Sequence, residues 1–395
     1  MCKIINIQLK KVLYCTKKCM IRIILCVLLC GYYFSLFSQS DYEIENNIIF
    51  LTEDGKEYYE KTLPDSYDLS GSEHWPPIYK QTHWVCNQVA ASYYMMSYET
   101  NLIKNISSQS DANCFSVYFP WNIGNGGHGW FGDNYIITME LIKKLGVPKM
   151  VDNLADIYRD SSLWLDGYDN YYQTMHNRIS DYYLIKTNSD EGILTLKSWV
   201  YDHIEGDDYG GTATFLANIA TGGSSYLPDG TPHEGAYVIT MCGNDALHAR
   251  TIVGFDDNIC FDYNNDEQYT TDIDLNGDDI IDIRDSEKGG FKLAESYGPT
   301  WQGEGYCWLM YRAVAEAYKE GGILNSNVHV LKPAINYSPH LTARLKITYP
   351  SRINLKVKLG ISGDTVSQTY EYIQDFPFLN FQGGDLYMLG GSEES

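Results

Sequence analysis

A cysteine thiol and a preceding glutamine amide could together perform nucleophilic chemistry. Cys86 follows Gln81 and opens a run of small and apolar residues, 87–98, that contains no Gly or Pro. Apolar positions at i, i+3 and i+4 predict a buried helix that begins at Cys86. A thiol there is favoured as the reactive thiolate by the helix dipole and the free N–H groups. Taken alone, a cysteine at a helix start more often has a buried structural role.

A histidine and a carboxylate in two later segments could complete such a site. His248 enters an apolar strand that ends at Gly254, and Glu295 precedes a turn rich in glycine and aromatic residues. An imidazole can take the proton of a thiol, and a carboxylate can accept the other ring N–H. The Gln81 amide and the Cys86 N–H could bind a developing oxyanion. Taken singly, each segment also fits a core histidine or a simple turn.

The surrounding periodicity predicts an α+β arrangement, with helices first and strands later. Tyr135–Leu145 is amphipathic and is followed by Gly146 and Pro148, which predicts a helix that ends there. Short apolar runs of strand type follow at residues 212–219, 236–241, 248–253 and 305–311.

These motifs, in this order, resemble the papain and cathepsin family of cysteine peptidases, over about residues 68–312. Asn125, Gly126 and Gly127 resemble the family's Asn-Gly-Gly segment. The resemblance implies a papain-like fold of two lobes, one helical and one β-barrel-like. It also implies a peptide or protein substrate and a catalytic step without a cofactor.

The resemblance further implies roles for single residues. The Cys86 thiolate would attack the peptide carbonyl, and His248 would hold the ion pair and protonate the leaving amine. Gln81 would stabilise the tetrahedral intermediate. The substrate-binding site would contain Gly126 and Gly127, which bind the substrate backbone, and Trp301, which shields the histidine from water.

The sequence departs from the family at residues that tune catalysis. Glu295 stands where the family has the Asn that orients the histidine ring, and Gln81 is one residue closer to its cysteine. His83, Trp84 and Val85 replace the usual glycines. Three functions therefore stay open: a secreted endopeptidase, a binding module with weakened catalysis, and an acyltransferase that uses the same Cys-His pair.

An acidic insertion, about residues 257–290, predicts a structural Ca²⁺ site. Its centre resembles a dockerin or EF-hand calcium loop, with oxygen-bearing side chains at positions 1, 3, 5, 9 and 12, Ile280 at position 7 and apolar Ile281 at position 8. The oxygen-bearing residues are Asp274, Asn276, Asp278, Asp282 and Asp285. Asp262, Asn264 and Asp266 repeat the pattern less completely. A solvated acidic loop is the alternative.

Charge and the N-terminal segment bear on partners and location. The formal net charge of −22 argues against nucleic acid as a partner, because no basic surface would neutralise phosphates. Residues 1–38 read as a signal peptide of bacterial export, with Lys10, Lys11, Lys17 and Lys18 before an apolar run. This predicts a secreted or cell-surface protein without stable membrane insertion after cleavage. A transmembrane anchor is the alternative.

The chain divides into four predicted parts: the signal peptide, a linker at 39–66, the peptidase domain at 67–325, and a small all-β module at 326–395. The alternation of apolar and polar residues in this last part suggests a β-sandwich-like module that is either small or cut short. Five cysteines follow the leader, and one nucleophile plus two disulfides would account for them.

Overall fold

A computed structural model describes residues 49–50, 63–124, 135–160, 163, 165, 167–202, 210–343, 358–361 and 372–375. Helices dominate the chain before residue 202, and a large sheet is built mainly from the chain after residue 210. The predicted signal peptide lies outside the described residues, as does most of the predicted linker and C-terminal module.

The first helix of the described residues, α1, begins at Cys86, as the sequence predicts. It comprises an α-helical turn, Cys86–Gln88, a π-helical stretch, Val89–Met96, and a further α-helical part, Ser97–Lys104. The second predicted helix, Tyr135–Leu145, is also confirmed. In chain order the other helices are α2 (Tyr118–Gly124), α3 (Tyr135–Leu145), α4 (Leu154–Tyr158), α5 (Tyr168–Thr174), α6 (Asp190–Tyr201) and α7 (Tyr311–Ala315). Short 3₁₀ turns occur at Met150–Asp152, Ile283–Asp285, Tyr318–Glu320 and Leu324–Ser326.

The strands form one large sheet and a separate hairpin. They are β1 (Ile49–Phe50), β2 (Ser66–Asp68), β3 (Arg178–Lys186), β4 (Ala213–Tyr226), β5 (Tyr237–Cys260), β6 (Lys288–Ala294), β7 (Tyr306–Met310), β8 (Asn327–Ala334), β9 (Lys358–Ile361) and β10 (Tyr372–Asp375). The large sheet has the order β1-β3-β8-β4-β5-β6-β7, with β2 also on β5, and the hairpin pairs β9 with β10.

Strand β5 organises the sheet because it pairs with four other strands. Its first half runs parallel to β7, with Val238 opposite Trp308, and its second half runs antiparallel to β6, with Ile252 opposite Leu293. Since β6 also pairs with β7, these three strands close on one another in a barrel-like arrangement. The predicted strands at 236–241 and 248–253 are thus two parts of one strand.

Helix α1 lies in the core between the sheet and helix α3. Small and flexible side chains line its inner face, which lets the two helices approach closely. The shared core cluster contains Cys86, Ala90, Ala91, Met95, Ile136, Met139, Ile142, Leu216 and Ala249. Helix α6 and the other face of the sheet form a second cluster that includes Trp199, Phe215 and Phe291. Cys86 is therefore a buried member of this core, with 7% of its surface exposed.

Two predictions about this architecture are wrong. The boundary at residue 326 fails because β8 pairs with β3 over its whole length, with Val330 opposite Tyr183, and so belongs to the main sheet. Among the described residues the five cysteines are buried free thiols rather than one nucleophile and two disulfides. The Cys114 thiol donates to the Ser108 carbonyl instead. No helix in the described ranges is long and apolar enough to cross a membrane.

The end of helix α3 provides a test of the fold. Gly146 has a positive φ of 84°, and a Cβ added there would lie 2.0 Å from the Thr174 carbonyl oxygen. Gly167 has a similar φ of 81° but open space around it. Gly167 has ψ 145°, so its backbone conformation is one that residues other than glycine rarely adopt, and we expect Gly167→Ala to lower the free energy of unfolding by about 2 kcal/mol. Gly146→Ala should cost about 3 kcal/mol or more, because the backbone must also move.

Urea denaturation of the two variants measures both costs. Equal losses for the two substitutions would contradict the close approach of Gly146 to Thr174.

Candidate active site

The thiol of Cys86 lies at the N-terminus of helix α1, at the edge of the sheet. Burial by itself raises the pKa of this thiol, but a hydrogen bond to His248, the charge of that ring, and the N–H groups of Ala249 and Asn87 outweigh burial. The pKa of Cys86 is therefore lower than that of an ordinary cysteine. The arrangement favours a thiolate, the nucleophilic form of the side chain.

His248 bridges Cys86 and Glu295. Its Nε2 lies 3.0 Å from Oε2 of Glu295, which leaves Nδ1 for the hydrogen bond to Cys86. Burial lowers the pKa of the imidazole, yet the bonds to Cys86 and Glu295 and the carboxylate charge raise it above its usual value. A lowered thiol pKa beside a raised imidazole pKa favours the thiolate–imidazolium pair.

Glu295 is fully buried and has two cationic partners. His248 contacts one carboxylate oxygen, and Arg250 Nε donates to the other at 2.5 Å. Burial raises the pKa of Glu295, but the Arg250 charge and the His248 hydrogen bond hold it below its usual value. The side chain is thus an anion that accepts hydrogen bonds from His248 and Arg250, and a longer one, of 3.9 Å, from the Cys307 thiol.

The aromatic ring that covers His248 is Tyr297. The two rings are stacked, with centroids 4.7 Å apart and planes 8° from parallel. Trp301, the predicted shield, instead packs against Tyr297 at 5.4 Å and against Tyr237 at 5.8 Å. The ring that shields His248 is therefore that of Tyr297, two residues after Glu295, and Trp301 packs against Tyr297.

Gln81 is tied to the segment that follows Glu295. Its N–H donates to the Ser296 carbonyl at 2.9 Å, and its Oε1 accepts the Ser296 hydroxyl at 2.6 Å. Because the side-chain oxygen is occupied, the Gln81 amide nitrogen is left as a donor. This is the end of the side chain that an oxyanion requires.

The loop between Gln81 and Cys86 is held by aromatic contacts rather than by glycines. The His83 ring contacts the Tyr118 hydroxyl at 2.8 Å and lies edge-on to the Tyr118 ring. Trp84 is 63% exposed beside the nucleophile. The predicted substrate-binding residues Gly126 and Gly127 lie outside the described residues.

The structure thus brings together Cys86, His248 and Glu295, and adds two residues that the motifs did not single out, Arg250 and Ser296. The position of Arg250 in the sequence is a signal from which its role beside His248 could have been predicted. A charged residue in an apolar strand, two positions after His248, points to the same face of the sheet as that histidine. Buried arginine needs an anion, and Glu295 was the candidate.

The acidic insertion contains two loops with the same backbone pattern. In the first loop Asn265 and Glu267 have positive φ, and in the second the corresponding Gly277 and Asp279 do. In each loop the first Asp accepts backbone N–H groups from three and five residues ahead: Asp262 from Asn265 and Glu267, Asp274 from Gly277 and Asp279. The first six residues of the two loops, 262–267 and 274–279, therefore share one backbone arrangement.

Buried carboxylates close the two loops. Asp285 accepts the N–H of Leu275 at 2.8 Å, and Glu287 accepts the N–H of Tyr263, at the corresponding position, at 2.7 Å. Glu287 was not among the predicted ligands, since it lies outside the twelve-residue window of its own loop.

Other features of the second loop depart from the calcium-loop pattern. Arg284 pairs with Asp278 and Asp282 at 2.9 and 2.6 Å. Ile281 is 55% exposed rather than packed. In the part of the chain that the structure describes, no three His, Cys, Asp or Glu side chains converge as a metal centre would. Calcium binding stays a prediction.

No known family model matches the chain, and no curated protein matches it. Similar solved structures are cysteine proteases. Xylellain, a cysteine protease from Xylella fastidiosa, is 17% identical over 70% of this chain and 88% of its own, with a TM-score of 0.42. The digestive procathepsin L2 of Tenebrio molitor is 15% identical over 69% of each chain, with a TM-score of 0.43.

Bromelain from Ananas comosus is 15% identical over 68% of this chain and 99% of its own, with a TM-score of 0.41. At these identities and TM-scores the likeness decides nothing about activity. The geometry of Cys86, His248 and Glu295 is the ground for assigning a function.

Proposed function

We propose that this chain is a papain-like cysteine endopeptidase that hydrolyses peptide bonds through Cys86 and His248. One observation carries the proposal: a thiol at a helix N-terminus interacts with an imidazole whose other nitrogen is held by a buried carboxylate. Nucleophile, base and orienting group in series are the arrangement that activates a side chain for acyl transfer.

The first half of the reaction uses the proton already on His248. The Cys86 thiolate attacks the peptide carbonyl carbon, and a tetrahedral intermediate with a negatively charged oxygen forms. The Cys86 N–H has no acceptor within the helix at this position, and the Gln81 amide nitrogen is available as a second donor to that oxygen. His248 then gives its proton to the leaving amine, and an acyl-enzyme remains.

The second half returns the enzyme to its starting state. Water enters, His248 takes one of its protons, and the resulting hydroxide displaces the Cys86 thiolate from the acyl carbon. Glu295 keeps the ring in one orientation throughout, because its Oε2 accepts the Nε2 proton at 3.0 Å. The Tyr297 ring, stacked on His248, limits the access of water to the imidazole from one side.

Export of the protein is part of the proposal. The basic start and apolar run of residues 1–38 are the support for secretion or surface location. Proteins or peptides outside the cytoplasm are then the substrates.

Calcium binding to the two acidic loops is a further part of the proposal. Its support is the repeated backbone pattern and the oxygen-rich residue types, which suit a hard cation. A carboxylate oxygen that accepts one backbone N–H keeps a second lone pair for an ion. Residues that would hold it are Asp262, Asn264, Asp266 and Glu287 in one loop, and Asp274, Asn276, Asp278, Ile280, Asp282 and Asp285 in the other. The ion would supply charge neutralisation to the loops.

Selective alkylation tests the thiolate. Iodoacetamide at mildly acidic pH should modify Cys86 and spare the other four thiols, since burial raises the pKa of Cys114 to about 12 and of Cys242 to about 11. The rate should rise as pH increases through the lowered pKa of Cys86. Peptide mapping by mass spectrometry locates the label. Equal labelling of several cysteines, or none, would favour the binding module.

Substitution of the pair tests the reaction. Cys86→Ala and His248→Ala should each lower kcat/KM for peptide cleavage by about 10³-fold or more, because neither group works without the other. Cys260→Ser and His176→Ala are matched controls: Cys260 bonds the backbone carbonyl of Asn258, and the half-buried His176 bonds the backbone carbonyl of Tyr337. Cleavage should also fall as pH rises through the raised pKa of His248, which removes the imidazolium proton.

Peptide cleavage that persists in Cys86→Ala or His248→Ala would contradict the assignment of this catalytic pair. Amine transfer in place of hydrolysis, detected with an added amine acceptor, would identify the acyltransferase.

Chelation tests the calcium loops. Adding CaCl₂ to EDTA-treated protein should raise the melting temperature, and Asp262→Asn with Asp274→Asn should abolish the rise, since the two first-position carboxylates are then lost. Asp169→Asn, an exposed acidic residue on α5, is the control that removes charge elsewhere. Calcium binding is rejected if EDTA leaves both melting temperature and activity unchanged.

A further inference from the structure

We infer that Arg250 is a positioning residue for the catalytic pair: it holds the buried Glu295 as an anion whose charge is shared, so that a carboxylate can orient His248 in place of a neutral amide. The inference rests on the proposed function and deepens it. Arg250 touches neither the substrate nor Cys86 in this role and acts through Glu295.

The geometry divides the Glu295 carboxylate between two cationic donors. Arg250 Nε takes one carboxylate oxygen and His248 Nε2 takes the other. Arg250 Nη1 also donates to the Ala217 carbonyl at 3.0 Å and to the His248 carbonyl at 3.4 Å, so it is fixed to the same strands as the histidine. Arg250 and Glu295 side chains are fully buried, and water does not replace either partner.

With a carboxylate at residue 295, the charges of the site balance only if Arg250 is present as well. Thiolate, imidazolium, carboxylate and guanidinium sum to zero, whereas Glu295 alone beside the pair would leave a net negative charge in the interior. A buried charge without a counter-charge is strongly unfavourable. A neutral amide at residue 295 would need no arginine. Glu295 and Arg250 therefore belong together as one unit.

Other titratable groups around this unit stay neutral in the working pH range. Those facing it are Tyr94, Cys242, Tyr297 and Cys307. Burial raises the pKa of Cys242 to about 11 and of Tyr297 to about 12, and it raises those of Tyr94 and Cys307 well above their usual values. The protonation of His248 is thus governed by Cys86, Glu295 and Arg250.

A double-mutant cycle tests the unit with Arg250→Met, Glu295→Asn and the double variant. Glu295→Asn leaves a buried guanidinium next to His248, which disfavours the imidazolium, so kcat/KM should fall about tenfold or more. The double variant lacks both charges and has a neutral amide at residue 295. We expect it to recover about tenfold or more of the kcat/KM lost in Glu295→Asn.

The pH profile of Cys86 alkylation separates positioning from mere structural support. In Arg250→Met the unpaired Glu295 should take up a proton in the working range and cease to stabilise the imidazolium. The pH at which the alkylation rate of Cys86 begins to rise, the acid limb of the profile, should then increase by about one pH unit or more. Arg250→Lys keeps the cation, and its acid limb should stay near that of the wild type even if its melting temperature falls.

Two results would overturn the inference: a double variant no more active than Glu295→Asn, or an acid limb that does not move in Arg250→Met. If Arg250→Met does not fold, the comparison of Glu295→Asn with the double variant decides alone. Wild-type protein that neither alkylates at Cys86 nor cleaves peptides rejects the proposed function instead. If the wild-type protein cleaves peptides but the losses of kcat/KM in the two single variants simply add in the double variant, only the role of Arg250 is rejected.

Discussion

Burial of the Glu295 carboxylate is the constraint on which the site depends. An ion taken out of water costs several kcal/mol unless it is paired and hydrogen-bonded. Glu295 meets this demand with His248 and Arg250, which are two residues apart on β5 and therefore share one face of the sheet. The carboxylate cannot move without breaking one of these bonds. The imidazole that faces Cys86 is thus held by electrostatics as much as by packing.

The helical part of the chain and the sheet also meet at Glu295 and the residue that follows it. Tyr94 of α1 donates to the Glu295 carbonyl at 2.8 Å, and Gln81, before α1, bonds Ser296 twice. These contacts fix the helix that carries the thiol against the strand end that carries the carboxylate. Because the oxyanion donor and the histidine partner share one short segment, a shift of that segment would disturb both functions at once.

Local sequence patterns were enough to predict the parts of the site that are local. The start of α1 at Cys86 and the end of α3 before Gly146 follow from side-chain type and spacing, and both are observed. The pairing of Arg250 with Glu295 depends on strands that meet only in the folded sheet, so no local pattern could establish it. The assignment of β8 to a separate module failed for the same reason. Alternation identifies a strand but not the sheet that it joins.

The position of the acidic insertion explains how such a charged segment can lie so near the site. Its closing carboxylates, Asp285 and Glu287, come directly before β6, and Glu295 comes directly after that strand. Between them β6 pairs with β5 on one side and with β7 on the other. These two ladders, together with the hydrogen bonds from Arg250 and His248, fix Glu295 at the end of β6 opposite the charged insertion.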